Sequence, residues 1–130
     1  MTKFIHYLYQ GKETYGLLET EDRIRPISGD PFSGYQPAEG SVVMGEIKIL
    51  PPCRPGKIIA LGLNYRDHAR DFNLEVPAEP LIFMKPPSAV IAADEKIIVP
   101  AMSRRVDFEA ELAIIIGRTC RNVPREAAFP

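Results

Sequence analysis

The sequence has few of the features that would place it in a specialised class. It has two cysteines, Cys53 and Cys120, far apart and without the short paired spacings of zinc or redox motifs, so a disulfide scaffold and a cysteine metal site are excluded and reduced thiols are expected. Its net charge is -1, which leaves no electrostatic footprint for nucleic acid or an anionic membrane. Long apolar runs are missing too. Met1 to Gly11 cannot serve as a signal peptide and no stretch approaches a bilayer span, so a cytoplasmic protein is expected. Repeats and low-complexity tracts are absent.

What is present is an ordinary globular composition, 45% hydrophobic and 25% charged, which argues against disorder and against a fibrous protein. A chain of 130 residues suffices for one domain, or for a small domain joined to part of another. The abundant residue is proline. Thirteen prolines, about twice the average share, leave little room for long helices, so strands and ordered loops should dominate.

Lys3 to Gln10 reads as a strand that turns at Gly11-Lys12 into Thr14 to Glu19, with a third strand over Asp22 to Ile27 and another over Glu46 to Leu50. Residues 1–52 therefore read as a small β module without chemistry of its own. Pro51 to Gly56 is expected to be a stiff linker. From residue 57 to 130 a second unit follows, with buried strands over Lys57 to Leu63 and Leu81 to Met84, and a further strand over Lys96 to Pro100. Between the first two, Asn64 to Phe72 suits a short helix capped by Asn64 or Asp67, with His68 and Asp71 sharing a face. A carboxylate beside an imidazole suits a general base, although a solvated surface pair fits the same spacing. Lys85, at the end of an apolar strand and before Pro86-Pro87, is placed either to meet an anion or to reach solvent.

The chemical centre is Val106 to Gly117. Ile114, Ile115 and Ile116, closed by Gly117, predict a buried strand; alternation carried backwards sets Phe108, Ala110 and Leu112 on an apolar face and Asp107, Glu109 and Glu111 on the other. Glu109 and Glu111 would lie about 6.6 Å apart. At an effective dielectric of about 20, two ionised carboxylates at that distance repel by roughly 2.5 kcal/mol. A hard divalent cation, Mg²⁺, Mn²⁺ or Ca²⁺, would offset the repulsion. An edge strand whose acids face water, paired with Arg104 and Arg105, is the alternative.

Three ordered blocks now stand together: Gly62-Leu63-Asn64-Tyr65-Arg66-Asp67-His68, Pro80-Leu81-Ile82-Phe83-Met84-Lys85-Pro86, and Val106 to Leu112 with Ile116-Gly117. Together they closely resemble the fumarylacetoacetate hydrolase family, and the β module resembles the short N-terminal domain that many members carry. The resemblance implies a mostly β α+β fold, with a small N-terminal β module followed by the first part of a mixed β roll and a short lid helix. It implies Glu109 and Glu111 as two of three carboxylate metal ligands, and His68, assisted by Asp71, as the group that activates water. Asn64, Tyr65 and Lys85 are implied at the substrate site.

The implied reaction is hydrolytic C–C cleavage of acylpyruvates or related 2-keto and β-diketo acids, in a homodimer. Isomerisation of 2-hydroxy-dienedioates and decarboxylation of oxaloacetate-type acids are the alternatives on the same scaffold, and a non-catalytic remnant is the alternative from another class. Two departures bear on these. Asp71 stands where hydrolytic members commonly carry glutamate, and the family's third ligand, a further lysine and a glycine-rich loop all lie on later strands. The 130 residues are therefore expected to be a fragment, a truncated product or one piece of a longer chain, and unable to turn over substrate alone.

Overall fold

A computed structural model describes residues 2–128. Six strands in the first half form one antiparallel sheet: β1 (Phe4–Tyr9), β2 (Lys12–Leu18), β3 (Arg23–Asp30), β4 (Gly34–Pro37), β5 (Val42–Val43) and β6 (Lys48–Ile49). The order is β4-β3-β2-β1-β6, with β5 paired to β3. The hairpin turn lies at Gln10-Gly11, one residue earlier than expected, and both residues have positive φ, +48° and +77°. That is the two-residue turn whose twist matches paired strands. It sets His6 opposite Tyr15 and Leu8 opposite Glu13.

The core of this sheet is small and well closed. Tyr7, Ile24 and Val42 are buried, flanked by Ile5, Tyr9, Leu18, Met44 and Ile47. Gly16 permits the approach of β3, since a Cβ there would stand 2.4 Å from Ile24 Cγ2 and 2.8 Å from the Arg25 carbonyl. The β3–β4 turn is held by Asp30, whose carboxylate accepts the Phe32 N–H at 2.7 Å.

Pro51 to Gly56 runs against this sheet. His6 donates from Nδ1 to the Pro51 carbonyl, Tyr15 donates to the Pro52 carbonyl at 3.2 Å, and the Leu50 N–H donates to the His6 carbonyl at 2.9 Å. Lys48 in β6 pairs with Glu95, whose other oxygen accepts the Ala92 N–H at 2.9 Å. Both contacts hold the Glu95 carboxyl below the usual range, the lysine more strongly.

Among the described residues the second half has two strands, β7 (Ile58–Gly62) and β8 (Leu81–Lys85), an antiparallel pair. Both were expected to be buried. Instead Ile59, Leu81, Ile82 and Met84 are exposed, because a two-stranded sheet covers neither of its faces. Between them lies α1 (Arg66–Asp71), shorter than the expected Asn64 to Phe72. Its N-cap is Tyr65, without a side-chain capping bond, rather than Asn64 or Asp67; Asp67 instead pairs with Arg70 at 2.6 Å. The helix ends in a Schellman motif, with Leu74 N–H on the Ala69 carbonyl, Asn73 N–H on the Arg70 carbonyl and Asn73 at φ +53°.

Residues 96–100 and 106–117 form no strand. The expected buried strand over Val106 to Gly117 is a run without a ladder, and Phe108 and Leu112 stand 95% and 82% exposed. Apolar alternation gives a segment the capacity to be a strand, but a ladder also needs a neighbouring backbone, and no described residue supplies one. The architecture is mostly β with one short helix, the α+β class expected.

Candidate functional site

The site builds outward from the turn between β7 and α1. Leu63 takes φ +51°, a left-handed conformation that costs a non-glycine residue about 1–2 kcal/mol. Such strain collects where a side chain must be aimed. It swings Asn64 and Tyr65 out of the sheet and starts α1 directly after them. His68, half-buried, stacks on Phe72 one turn along, with ring centroids 5.0 Å apart. Asp71 lies in the same helix three residues on and is exposed. Among the described residues no hydrogen bond joins the two side chains, so the expected imidazole–carboxylate pair is adjacent in sequence position but not engaged.

Tyr65 makes the connection to the acidic run. Its hydroxyl oxygen accepts the Leu112 N–H at 3.2 Å, which places the start of the helix beside the residue that follows Glu111. Glu109 and Glu111 are both exposed. The alternative pairing with arginine is met in part: the acids face water and Arg105 takes Asp107, at 2.7 Å, while among the described residues no cation pairs with either glutamate. Lys85 lies elsewhere. It is opposite Ile58 while Leu81 is opposite Gly62, so four strand residues, about 13 Å, separate it from the end of the sheet that carries Asn64. Its ammonium stands 5.8 Å from the Phe83 ring centroid. The structure thus brings Tyr65 and the run around Glu111 together and leaves Lys85 apart.

Two carboxylates are the right kind of donor for a hard cation, and magnesium is commonly held by one or two carboxylates with water and substrate completing its shell. The number is small. Among the described residues no group of three histidine, cysteine or acidic side chains converges. Glu109 and Glu111 are thus of the donor type a hard cation takes, with no third such side chain beside them among the described residues.

A second polar constellation was not expected from the sequence. His6 is buried in β1, its Nε2 3.0 Å from Glu13 Oε1, and Glu13 also holds Arg54. The arginine hydrogen bond is the main reason the Glu13 carboxyl sits below its ordinary range, with His6 adding to it. These side chains line a cleft of about 330 Å³ with Pro51, Pro87 and Val90, at the joint between the two halves. A turn placed at Gln10-Gly11 would have revealed it, because that register puts His6 diagonal to Glu13 on one face; a turn one residue later slides every partner two residues along the same face and takes Glu13 out of reach of His6.

The comparisons with known proteins bear on all of this. The family model described as fumarylacetoacetate (FAA) hydrolase C-terminal matches residues 57–129. The chain belongs to the fumarylacetoacetate hydrolase family. A second family model, described as Rv2993c-like, N-terminal, matches residues 2–52.

Among relatives of this family, an uncharacterised protein of Archaeoglobus fulgidus is 53% identical over 75% of this chain and 37% of its own length. A 2,4-didehydro-3-deoxy-L-rhamnonate hydrolase of a Sphingomonas species is 35% identical over 98% of this chain and 48% of its own. Of solved structures, Cg1458 with inhibitor superposes with a TM-score of 0.59 at 26% identity, over 68% of this chain and 36% of that one. A 2-hydroxyhepta-2,4-diene-1,7-dioate isomerase of Mycobacterium marinum gives 0.55 at 22%, over 68% and 34%, which speaks for the fold alone. The chain spans about a third to a half of the length of the curated relatives it matches. No helix of the described residues is long and apolar enough to cross a membrane.

Proposed function

We propose that this family member takes part in divalent-metal-dependent hydrolysis of a C–C bond in an acylpyruvate or related 2-keto or diketo acid, as a cytoplasmic homodimer that binds neither nucleic acid nor membrane. The observation that carries the reading is the Tyr65–Leu112 bond, which sets the His68 helix against the run bearing Glu109 and Glu111. One of the relatives that match nearly all of this chain adds to it. Its name describes a 3-deoxy acid oxidised at C2 and C4, the acylpyruvate pattern.

Glu109 and Glu111 would hold Mg²⁺, with Mn²⁺ or Ca²⁺ as substitutes, and such a cation supplies Lewis acidity toward the keto-acid end. His68 takes the proton from the attacking water as general base, and Asp71, one turn along the helix, orients it once α1 closes. Tyr65 ties the helix to the acidic run, Asn64 offers an amide to the substrate from the strained turn, and Lys85 contributes only if β8 shifts toward the site. The two-carboxylate set makes the 130 residues alone a weak metal binder with no turnover of their own.

Two measurements test this. Mg²⁺ titration of the chain by calorimetry should show weak binding that Glu109→Gln abolishes; binding unchanged in that variant overturns the assignment. On the gene product as the cell makes it, loss of acylpyruvate ultraviolet absorbance with matching pyruvate is expected. A spectral shift without pyruvate would mean isomerisation, and release of carbon dioxide would mean decarboxylation.

A further inference from the structure

The chain has two histidines, and the structure holds them in opposite ways. Each stacks on an aromatic ring: His6 on Tyr15, at 4.3 Å between centroids and 15° between planes, and His68 on Phe72, at 5.0 Å and 28°. His6 is buried, and both its ring nitrogens are spent, on the Pro51 carbonyl and on Glu13. His68 is half-buried and the carboxylates near it in the helix do not hold it. Asp67 is taken by Arg70 at 2.6 Å, Asp71 is exposed, and among the described residues neither ring nitrogen of His68 has a partner. An imidazole gripped by both nitrogens can only fasten. One held by its face keeps a nitrogen to accept a proton and another to donate.

The backbone sets Phe72 where it can do this. Residues four apart on a helix share a face, and helical side chains lean toward the N-terminus, so a ring at position 72 lies back over position 68. Phe72 is the C-cap of α1, and its N–H donates to the His68 carbonyl at 3.3 Å. Just beyond it the chain reverses at Asn73, and the Leu74 N–H returns to the carbonyl of Ala69, which is wholly buried. Phe72 itself is 60% exposed, so it is no part of a core. What its ring covers is the imidazole.

We propose that Phe72 is a positioning residue for His68: its ring fixes the plane and rotamer of the imidazole through the face and leaves both nitrogens free for proton transfer. The inference rests on the reading of His68 as the general base. Orientation of the base then precedes any engagement of Asp71, whose carboxylate makes no bond to it in this structure.

NMR on the chain reads the stack without any activity. In the unaltered chain and in Asp71→Asn, cross-relaxation between the His68 and Phe72 rings and one dominant His68 χ1 rotamer are expected. Phe72→Leu should average that rotamer and Phe72→Tyr should restore it, with the His6 resonances unmoved throughout and the Leu74 amide reporting that the helix end is intact. No contact between the two rings in the unaltered chain overturns the inference, as does a His68 rotamer that averages in Asp71→Asn or stays fixed in Phe72→Leu. On the gene product as the cell makes it, Phe72→Leu should lower kcat for acylpyruvate cleavage by about two- to tenfold with KM within about twofold, and Phe72→Tyr should recover it. An unchanged kcat beside an averaged rotamer overturns the positioning role. His68→Ala should lose at least about a hundredfold; a smaller loss overturns the general-base reading and leaves the stack as measured.

Discussion

The two halves of the chain solve the burial problem to different extents. Residues 4–49 form six strands around Tyr7, Ile24 and Val42, with glycines where strands approach closely and a turn of matching twist. Residues 57–128 have two paired strands, one helix of six residues, and isoleucines, leucines and a phenylalanine in water. Apolar burial is worth roughly 25 cal/mol per Å², so the first half carries most of the stability. The residues proposed for the chemistry lie in the second. The carboxylates, α1 and the strained turn are held by few contacts, and the bond from Tyr65 to Leu112 is one of them.

Substitutions can break or sharpen this contrast. The largest effect is expected at Ile24, wholly buried against Gly16: Ile24→Ala should cost about 2–5 kcal/mol in urea unfolding, whereas Ile116→Ala, at a position 72% exposed, should stay within about 0.5 kcal/mol. Comparable losses at both would show that the second half shares the cooperative core. Gly16→Ala comes next, at about 1–3 kcal/mol by overpacking, because the methyl meets Ile24 and a backbone carbonyl. A neutral result would mean that β3 can move away from β2.

His6→Ala should cost about 1–3 kcal/mol by leaving the Pro51 carbonyl without its donor, and should speed hydrogen exchange at the Leu50 amide, which marks the joint between the halves. The partner of His6 titrates. Glu13 has a folded value below its unfolded one, so its contribution is complete above the ordinary glutamate range and is lost as pH falls through the lowered value. The melting temperature of the unaltered chain should accordingly fall more steeply below about pH 4 than that of Glu13→Gln; parallel curves would remove Glu13 from the joint. The smallest effect is expected for Tyr65→Phe, at most about 1 kcal/mol, seen chiefly as a moved Leu112 amide resonance. An unmoved resonance would detach the helix from the acidic run.

Local chemistry made much of this legible beforehand. The hairpin, the third strand, the apolar β7 and β8 segments and the short helix after Asn64 follow from alternation, turn residues and proline spacing. The carboxylates and the histidine follow from spacing and from three motif blocks. The β4 and β5 strands were not read, being four and two residues long and shaped by pairing to β3 rather than by pattern. The His6–Glu13–Arg54 cluster was hidden by a turn misplaced by one residue, which slides every partner by two and separates His6 from Glu13 along the strands.

The sequence by itself determined the mostly β class, the family and the residue types of the site, because each of these is written in short-range pattern. Tertiary structure alone decided three other matters. It left Val106 to Gly117 without a ladder, since a strand exists only where another backbone satisfies its hydrogen bonds. It set Lys85 at the far end of its sheet, since antiparallel pairing fixes which ends meet. And it set Ile115 on the same cleft as Phe32 and Tyr15, which lie far from it in the sequence, a juxtaposition that depends on how the two halves pack rather than on any pattern within either.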